Sequence, residues 1–199
     1  QMERLLAPHG PCGRVLRPSD GKIPDTVAFV LCSGSRDRAV GVPYCSRACC
    51  MFAVKEAVLA KEKIGPQADT AIFYMDMRTH GKDFERFYNK AQEQGVRFVR
   101  SRVHTIDPVE DDNLRLRYIT EEGELVEETF DMVVLAVGLA PNKESVALAK
   151  TMGIDLNEHL HAATRTLEPV SSTRPGVFVC GAFQEPKDIP QSVMEASAA

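Results

Sequence analysis

Four cysteines fall within nineteen residues, at Cys32, Cys45, Cys49 and Cys50. Their pattern is Cys32-x12-Cys45-x3-Cys49-Cys50. Thiolate sulfur is a soft donor, suited to zinc and above all to iron–sulfur clusters, and a four-iron cluster ordinarily takes four thiolates. Zinc sites favour paired Cys-x2–4-Cys knuckles, and the adjacent Cys49–Cys50 pair fits that geometry poorly. A redox disulfide is less favoured still, because no Cys-x-x-Cys is present. The spacing therefore points first to one [4Fe-4S] cluster, with zinc and plain structural cysteines as the competing readings. Cys12 and Cys180 stand alone and read as small buried hydrophobes.

The thiols need elements to aim them. Composition turns helical over 45–63, and in a helix Cys45 and Cys49, four apart, share one face. Cys50 lies about 100° further round, and reaches the same place only from an irregular first turn. Cys32 closes the arrangement from the end of an apolar strand at 26–32. Helix N-termini stabilise anions such as a thiolate-bound cluster, and Arg36, Arg38 and Arg47 add positive charge nearby in sequence.

Other chemistry is sparse. His9, His80, His104, His159 and His161 are scattered, and His159-x-His161 reads as a loop pair with no acid or thiol beside it. No Gly-x-Ser-x-Gly nucleophile motif occurs. The loop after the first strand, Cys32-Ser-Gly-Ser-Arg-Asp37, has one glycine where a dinucleotide-binding turn needs three. Asp76, 44 residues beyond Cys32, is too far on for the usual ribose-binding acid at about 20, and reads as the end of a strand.

The 199 residues are 44% hydrophobic and 26% charged, enough for one domain or two small ones with a sizeable core. A net charge of −4, with Lys and Arg interspersed among acids, gives no footprint for nucleic acid. The longest apolar run, 132–140, is far short of the ~18–20 residues of a membrane span. The start, Gln1-Met2-Glu3-Arg4, has no signal-peptide pattern and is as compatible with a cut in a longer chain as with a natural terminus. The expected location is cytoplasmic, where six cysteines are not a disulfide framework.

In chain order, 1–25 is rich in Pro and Gly and reads as irregular. Strands at 26–32, 70–75 and 96–100 alternate with helices at 45–63 and 82–93, the mark of a parallel α/β sheet. Polar–apolar alternation at 103–106, 114–120 and 125–130 predicts an antiparallel meander, and 132–137 a central apolar strand. Beyond Pro141 come a helix near 143–151, an apolar strand at 176–180 and the opening turns of a helix at 191–199.

Several segments carry a resemblance. Arg17-Pro-Ser-Asp-Gly-Lys22, Cys32-Ser-Gly-Ser-Arg-Asp37, Tyr44-Cys-Ser-Arg-Ala-Cys-Cys50 and Phe73-Tyr-Met-Asp-Met-Arg78 resemble the family of heterodisulfide reductase A subunits. So do Val134-Leu-Ala-Val-Gly138 and Pro186-Lys-Asp-Ile-Pro190. The family, which includes quinone-interacting oxidoreductase subunits, consists of iron–sulfur flavoproteins with a thioredoxin-reductase-like fold.

The resemblance implies that Cys32, Cys45, Cys49 and Cys50 ligate one [4Fe-4S] cluster near an FAD, and that electrons pass among the cluster, the FAD and partner subunits or donor proteins. It divides the chain into a lead-in from the FAD domain (1–25), an inserted NAD(P)H-domain-like α/β domain with the cysteines (26–137), and an incomplete C-terminal part of the FAD domain (138–199). Gly138, Gly181, Ala182, Phe183, Asp188, Ile189 and Pro190 become flavin neighbours in the intact protein. Two departures matter. The Gly-x-Gly-x-x-Gly turn for FAD is absent, so tight FAD binding by this chain alone is not expected, and Ala182 stands where related reductases place a flavin-holding Asp. A homodimer belongs to the same expectation; no membrane span or nucleic acid does. Two other functions remain open: an NAD(P)H- and FAD-dependent disulfide oxidoreductase domain, and a zinc-stabilised interaction domain.

Overall fold

A computed structural model describes residues 1–9, 13–39 and 41–199. They form two compact units: Gln1–Ser33 with Cys49–Val137, and Gly34–Ala48 with Gly138–Ala199.

The first unit is built on a parallel four-stranded sheet. Its strands are β1 (Thr26–Ser33), β2 (Asp69–Tyr74), β3 (Arg97–Arg100) and β7 (Met132–Val137), in the order β3-β2-β1-β7. Strand alternation sends β1 side chains to opposite faces. Val27, Phe29 and Leu31 join the helical layer, made of α1 (Met2–Leu6), α2 (Cys49–Ile64) and α3 (Phe84–Glu93). Ala28 faces the other way, with Ala71 and Phe73 of β2, onto Leu116, Tyr118 and Phe130 of the meander. That meander is β4 (Thr105–Pro108), β5 (Leu114–Ile119) and β6 (Leu125–Phe130), all antiparallel. Burial on both faces explains why the central strands read as unbroken apolar runs, whereas the meander alternates. On α2, Ala53, Ala57 and Ala60 are fully buried; their i, i+4, i+7 spacing makes one small-residue face that lies close to the sheet.

The second unit contains α4 (Lys143–Met152), the hairpin β8 (Thr164–Arg165) and β9 (Glu168–Ser172), a 3₁₀ turn at Gly181–Phe183, and α5 (Ile189–Ala198). Its core gathers Ala149, Ile154, Ala162 and Val179. Asn142 and Asp188 cap α4 and α5, their side chains accepting from Ser145 N–H at 2.7 Å and Gln191 N–H at 2.8 Å.

Four expectations are corrected. α2 begins at Cys49, not Cys45, so Cys45 and Cys49 do not share a helical face. The 1–25 segment, read as irregular, contains the short helix α1, whose Met2 and Leu6 are buried. Strand β4 lies two residues later than its alternation suggested, with Ile106 paired to Leu116. The 176–180 segment is not a regular strand. It runs antiparallel to β9 through only a Ser171–Phe178 bridge and scattered backbone bonds, including Val179 N–H to Val170 at 2.9 Å, and β8 and β9 form the hairpin instead. An apolar pentapeptide carries no signal for its pairing partner, and pairing is what makes a strand.

Candidate metal centre

Within the first unit, Cys32 is the penultimate residue of β1, while Cys49 and Cys50 open α2. Cys49 and Cys50 are 1% and 3% exposed. The backbone is bent to suit: the β1–β7 register shifts between Val30 and Ser33, and Cys32 adopts φ 58°. A left-handed Cys costs about 1 kcal/mol or more, a strain of the kind that clusters at ligand sites. The three thiols interact. Hydrogen bonding to Cys49, above all, and then burial push the Cys50 thiol far above its ordinary range, with the Cys49 and Cys32 charges adding to it. The Arg78 backbone N–H, donating to Cys50 sulfur, works the other way. The segment after β2 completes this end of the sheet, and Asp76 accepts from Cys50 Sγ at 3.9 Å through its backbone carbonyl. The Asp76 carboxylate is paired with Arg78 at 3.3 Å, which turns it away from the role of a ribose ligand.

Cys45 belongs to the second unit, on the loop of residues 34–48. Its Sγ accepts the Arg47 N–H at 3.2 Å, with Arg47 held at φ 61°. Arg47 is ion-paired with Glu185 at 2.5 Å, so its charge is already committed. Ser35 and Ser46, flanking this loop, are 2% and 1% exposed, and their hydroxyls have no hydrogen-bond partner among the described residues.

These features suit an iron–sulfur cluster. Two adjacent buried thiols cannot both ionise unless cationic metal compensates them. Cys45 and Cys50 already accept backbone N–H groups, the bonds that stabilise ligating thiolates. The Ser35 and Ser46 hydroxyls of the second unit are buried without a partner among the described residues, and an unmade bond of this sort costs about 1–3 kcal/mol. Among the described residues, no three His, Cys, Asp or Glu groups stand close enough to hold a single metal ion. Thiolates of a four-iron cluster each bind a different iron, so they stand further apart than ligands of one ion.

Cys180, the other described lone cysteine, precedes the Gly181–Phe183 turn and is partly exposed; Cys12 lies outside the described residues. The remaining expected residues lie in the second unit. Gly138 packs on Ser35 so closely that an added Cβ would sit 2.5 Å from the Ser35 Oγ. Gly181 has φ 65°, and its N–H donates to Glu195 at 2.9 Å, which draws the Gly181–Ala182–Phe183 turn onto α5. Asp188, Ile189 and Pro190 form the start of that helix, with Ile189 79% exposed. Sequence reading missed Tyr44, His159 and His161, which meet in this unit. The Tyr44 ring lies 4.8 Å from His159 and 5.6 Å from His161. The His159-x-His161 spacing was the one local hint, and nothing in the sequence tied it to Tyr44, more than a hundred residues earlier.

The profile of the pyridine nucleotide-disulphide oxidoreductase family matches residues 68–199. The chain belongs to that family. The chain is also similar to the proteins that the quoted segments led one to expect. The iron-sulfur A subunit of the CoB–CoM heterodisulfide reductase of Methanocaldococcus jannaschii is 45% identical over 209 residues, covering 100% of this chain and 31% of its own length. The A subunit of the H2:CoB-CoM heterodisulfide,ferredoxin reductase of Methanothermobacter marburgensis is 42% identical over 206 residues, with the same coverage. The chain thus spans about a third of the length of these relatives. LpdA from Mycobacterium tuberculosis shares the fold at TM-score 0.53 and 13% identity, over 88% of this chain and 33% of LpdA. No helix among the described residues is long and apolar enough to cross a membrane.

Proposed function

We propose that this chain is the cluster-carrying, electron-relaying part of an iron–sulfur flavoprotein of the heterodisulfide reductase A type. Cys32, Cys45, Cys49 and Cys50 are the thiolate ligands of one [4Fe-4S] cluster. The observation that carries this reading is the group of Cys32, Cys49 and Cys50, buried or half-buried at one end of the sheet, with Cys32 held at φ 58° to join it. The name of the 45%-identical relative, which calls it an iron-sulfur subunit, supports it. Cys45 enters as the fourth ligand on sequence spacing.

A cluster bound there supplies one-electron transfer. The chain's own residues do the rest. The α2 N-terminus, with no acidic side chain in its first turn, points a positive dipole end at the thiolates. The Arg78 and Arg47 N–H groups donate to the Cys50 and Cys45 sulfurs and fix their direction, and the Arg78 bond works against the rise in the Cys50 pKa. The α2 face and Met77 pack around Cys49 and Cys50 and exclude water, which raises the strength of every bond to sulfur. FAD belongs to the longer protein: Gly138, Gly181, Ala182, Phe183, Asp188, Ile189 and Pro190 border it there, and other subunits exchange electrons with the pair. Asp188 contributes a fixed helix start, since its carboxylate is spent on the α5 cap.

The test is anaerobic reconstitution with iron and sulfide. About four irons per chain, a visible absorption that bleaches on reduction, and a paramagnetic signal from the reduced form are expected. Cys49→Ser and Cys50→Ser abolish or alter that signal because a hydroxyl is a poor iron ligand, whereas Cys12→Ser and Cys180→Ser leave it intact. Equal loss from all four variants, or zinc in place of iron, removes the reading.

A further inference from the structure

The Cys45 loop is held by a group of side chains that carry no thiol of their own. Tyr44, the residue before Cys45, places its Oη 3.4 Å from His161 Nε2, and His161 Nδ1 lies 3.2 Å from the Ala182 carbonyl. A carbonyl only accepts, so Nδ1 carries the proton. In the neutral ring Nε2 is then the acceptor, and the Tyr44 hydroxyl donates to it. Burial keeps the ring neutral: His161 is 2% exposed, and desolvation lowers its pKa below the ordinary range. The imidazole stands on a stiff loop, where Asn157 Oδ1 accepts from the His159 and His161 N–H groups at 2.9 and 3.1 Å, and Ala162 N–H donates to Phe183 at 3.0 Å. Beyond Cys45, Arg47 grips Glu185 at 2.5 Å. The loop braces itself as well, with Arg36 N–H bonded to the Tyr44 carbonyl at 3.0 Å and Val42 N–H to Gly34 at 3.0 Å. Cys45 is thus pinned on both sides.

We propose that His161, acting through Tyr44, is a positioning residue that fixes the Cys45 sulfur for the cluster and ties its loop to the Gly181–Phe183 turn, so that the ligand and a stretch of flavin-bordering backbone share one rigid support. This rests on the proposed cluster reading. A ligand must be held to about 0.5 Å by its supporting shell, and none of the described residues of this loop lies in a helix. The hydroxyl–imidazole–carbonyl chain supplies direction, and the ring contacts with His159 and His161 supply packing.

Two readouts test it on the chain as it stands, with Tyr44→Phe, which deletes one hydroxyl and keeps the ring, beside His161→Phe. In the cluster-free chain, anaerobic alkylation with peptide mapping compares Cys45 with Cys180, a thiol of the same unit. The Cys45 rate relative to Cys180 should rise about fivefold in Tyr44→Phe, what one neutral hydrogen bond is worth, and further in His161→Phe. In the reconstituted chain, Tyr44→Phe at full iron content should shift the g-values of the reduced cluster, a change that a merely destabilised fold does not produce. An unchanged alkylation ratio overturns the clasp, and unchanged g-values at full iron overturn its role toward the ligand. A wild-type chain that takes up no iron overturns the cluster reading itself, and is distinguishable because the alkylation ratio still reports the clasp.

Discussion

Replacing Glu56 with Gln should flatten the pH dependence of stability in the first unit. Glu56 lies on α2 at 5% exposure, beside a cavity lined by Phe52, Leu114, Met132 and Val134. Burial, with a contribution from Glu3, raises its pKa from 4.5 to about 7, against the opposing pull of the Gln1 amino group and Lys55. A carboxyl whose folded pKa is raised binds its proton more tightly in the folded state. Its contribution is therefore intact below about 4.5, declines as pH rises through about 7, and is flat above that. The full shift corresponds to at most about 3 kcal/mol, and water entering the cavity lowers the expectation to about 2 kcal/mol. Gln keeps the shape and cannot ionise. Urea unfolding of the cluster-free chain, followed by helical ellipticity, should find wild type and Glu56→Gln within about 0.5 kcal/mol at pH 4.5 and the variant more stable by about 2 kcal/mol at pH 8.5. Parallel stability curves for the two proteins between those pH values would refute the reasoning.

Cys32→Gly should unfold at higher urea than Cys32→Ala by about 1 kcal/mol, because only glycine accepts φ 58° without strain; the opposite order would show that Cys32 is unstrained. Gly138→Ala should lower the melting temperature of the second unit, since its Cβ would lie 2.5 Å from Ser35 Oγ and 3.2 Å from Ser35 Cβ. Adding Ser35→Ala should restore most of the loss in a non-additive double-mutant cycle, and simple additivity argues against the contact. Titrating the chain with FAD should leave flavin fluorescence unchanged at micromolar concentration, because no glycine-rich pyrophosphate turn lies within residues 1–199; stoichiometric quenching would place the flavin site inside this chain.

Period and composition alone determined the parallel sheet and the meander. β6 and β7 begin and end where their residue patterns do, because burial on both faces makes one strand uniformly apolar and burial on one face makes the other alternate. The clustering of four cysteines is a property of the sequence itself, and soft donors at such close spacing are rare. What the sequence left undecided depended on partners distant along the chain. The start of α2 was misplaced because residues 45–48 are locally compatible with a helix, yet the Arg47 φ of 61° and its Glu185 pair, 138 residues away, hold them outside it. The bulge that turns Cys32 arises where β1 meets β7, about a hundred residues on, and the lowered pKa of His161 comes from its burial in the folded unit, against the opposing bonds to Ala182 and Phe183. Local pattern marks most of the elements; strain, orphaned hydroxyls and the tying down of the 34–48 loop arise only when residues far apart in sequence are packed together.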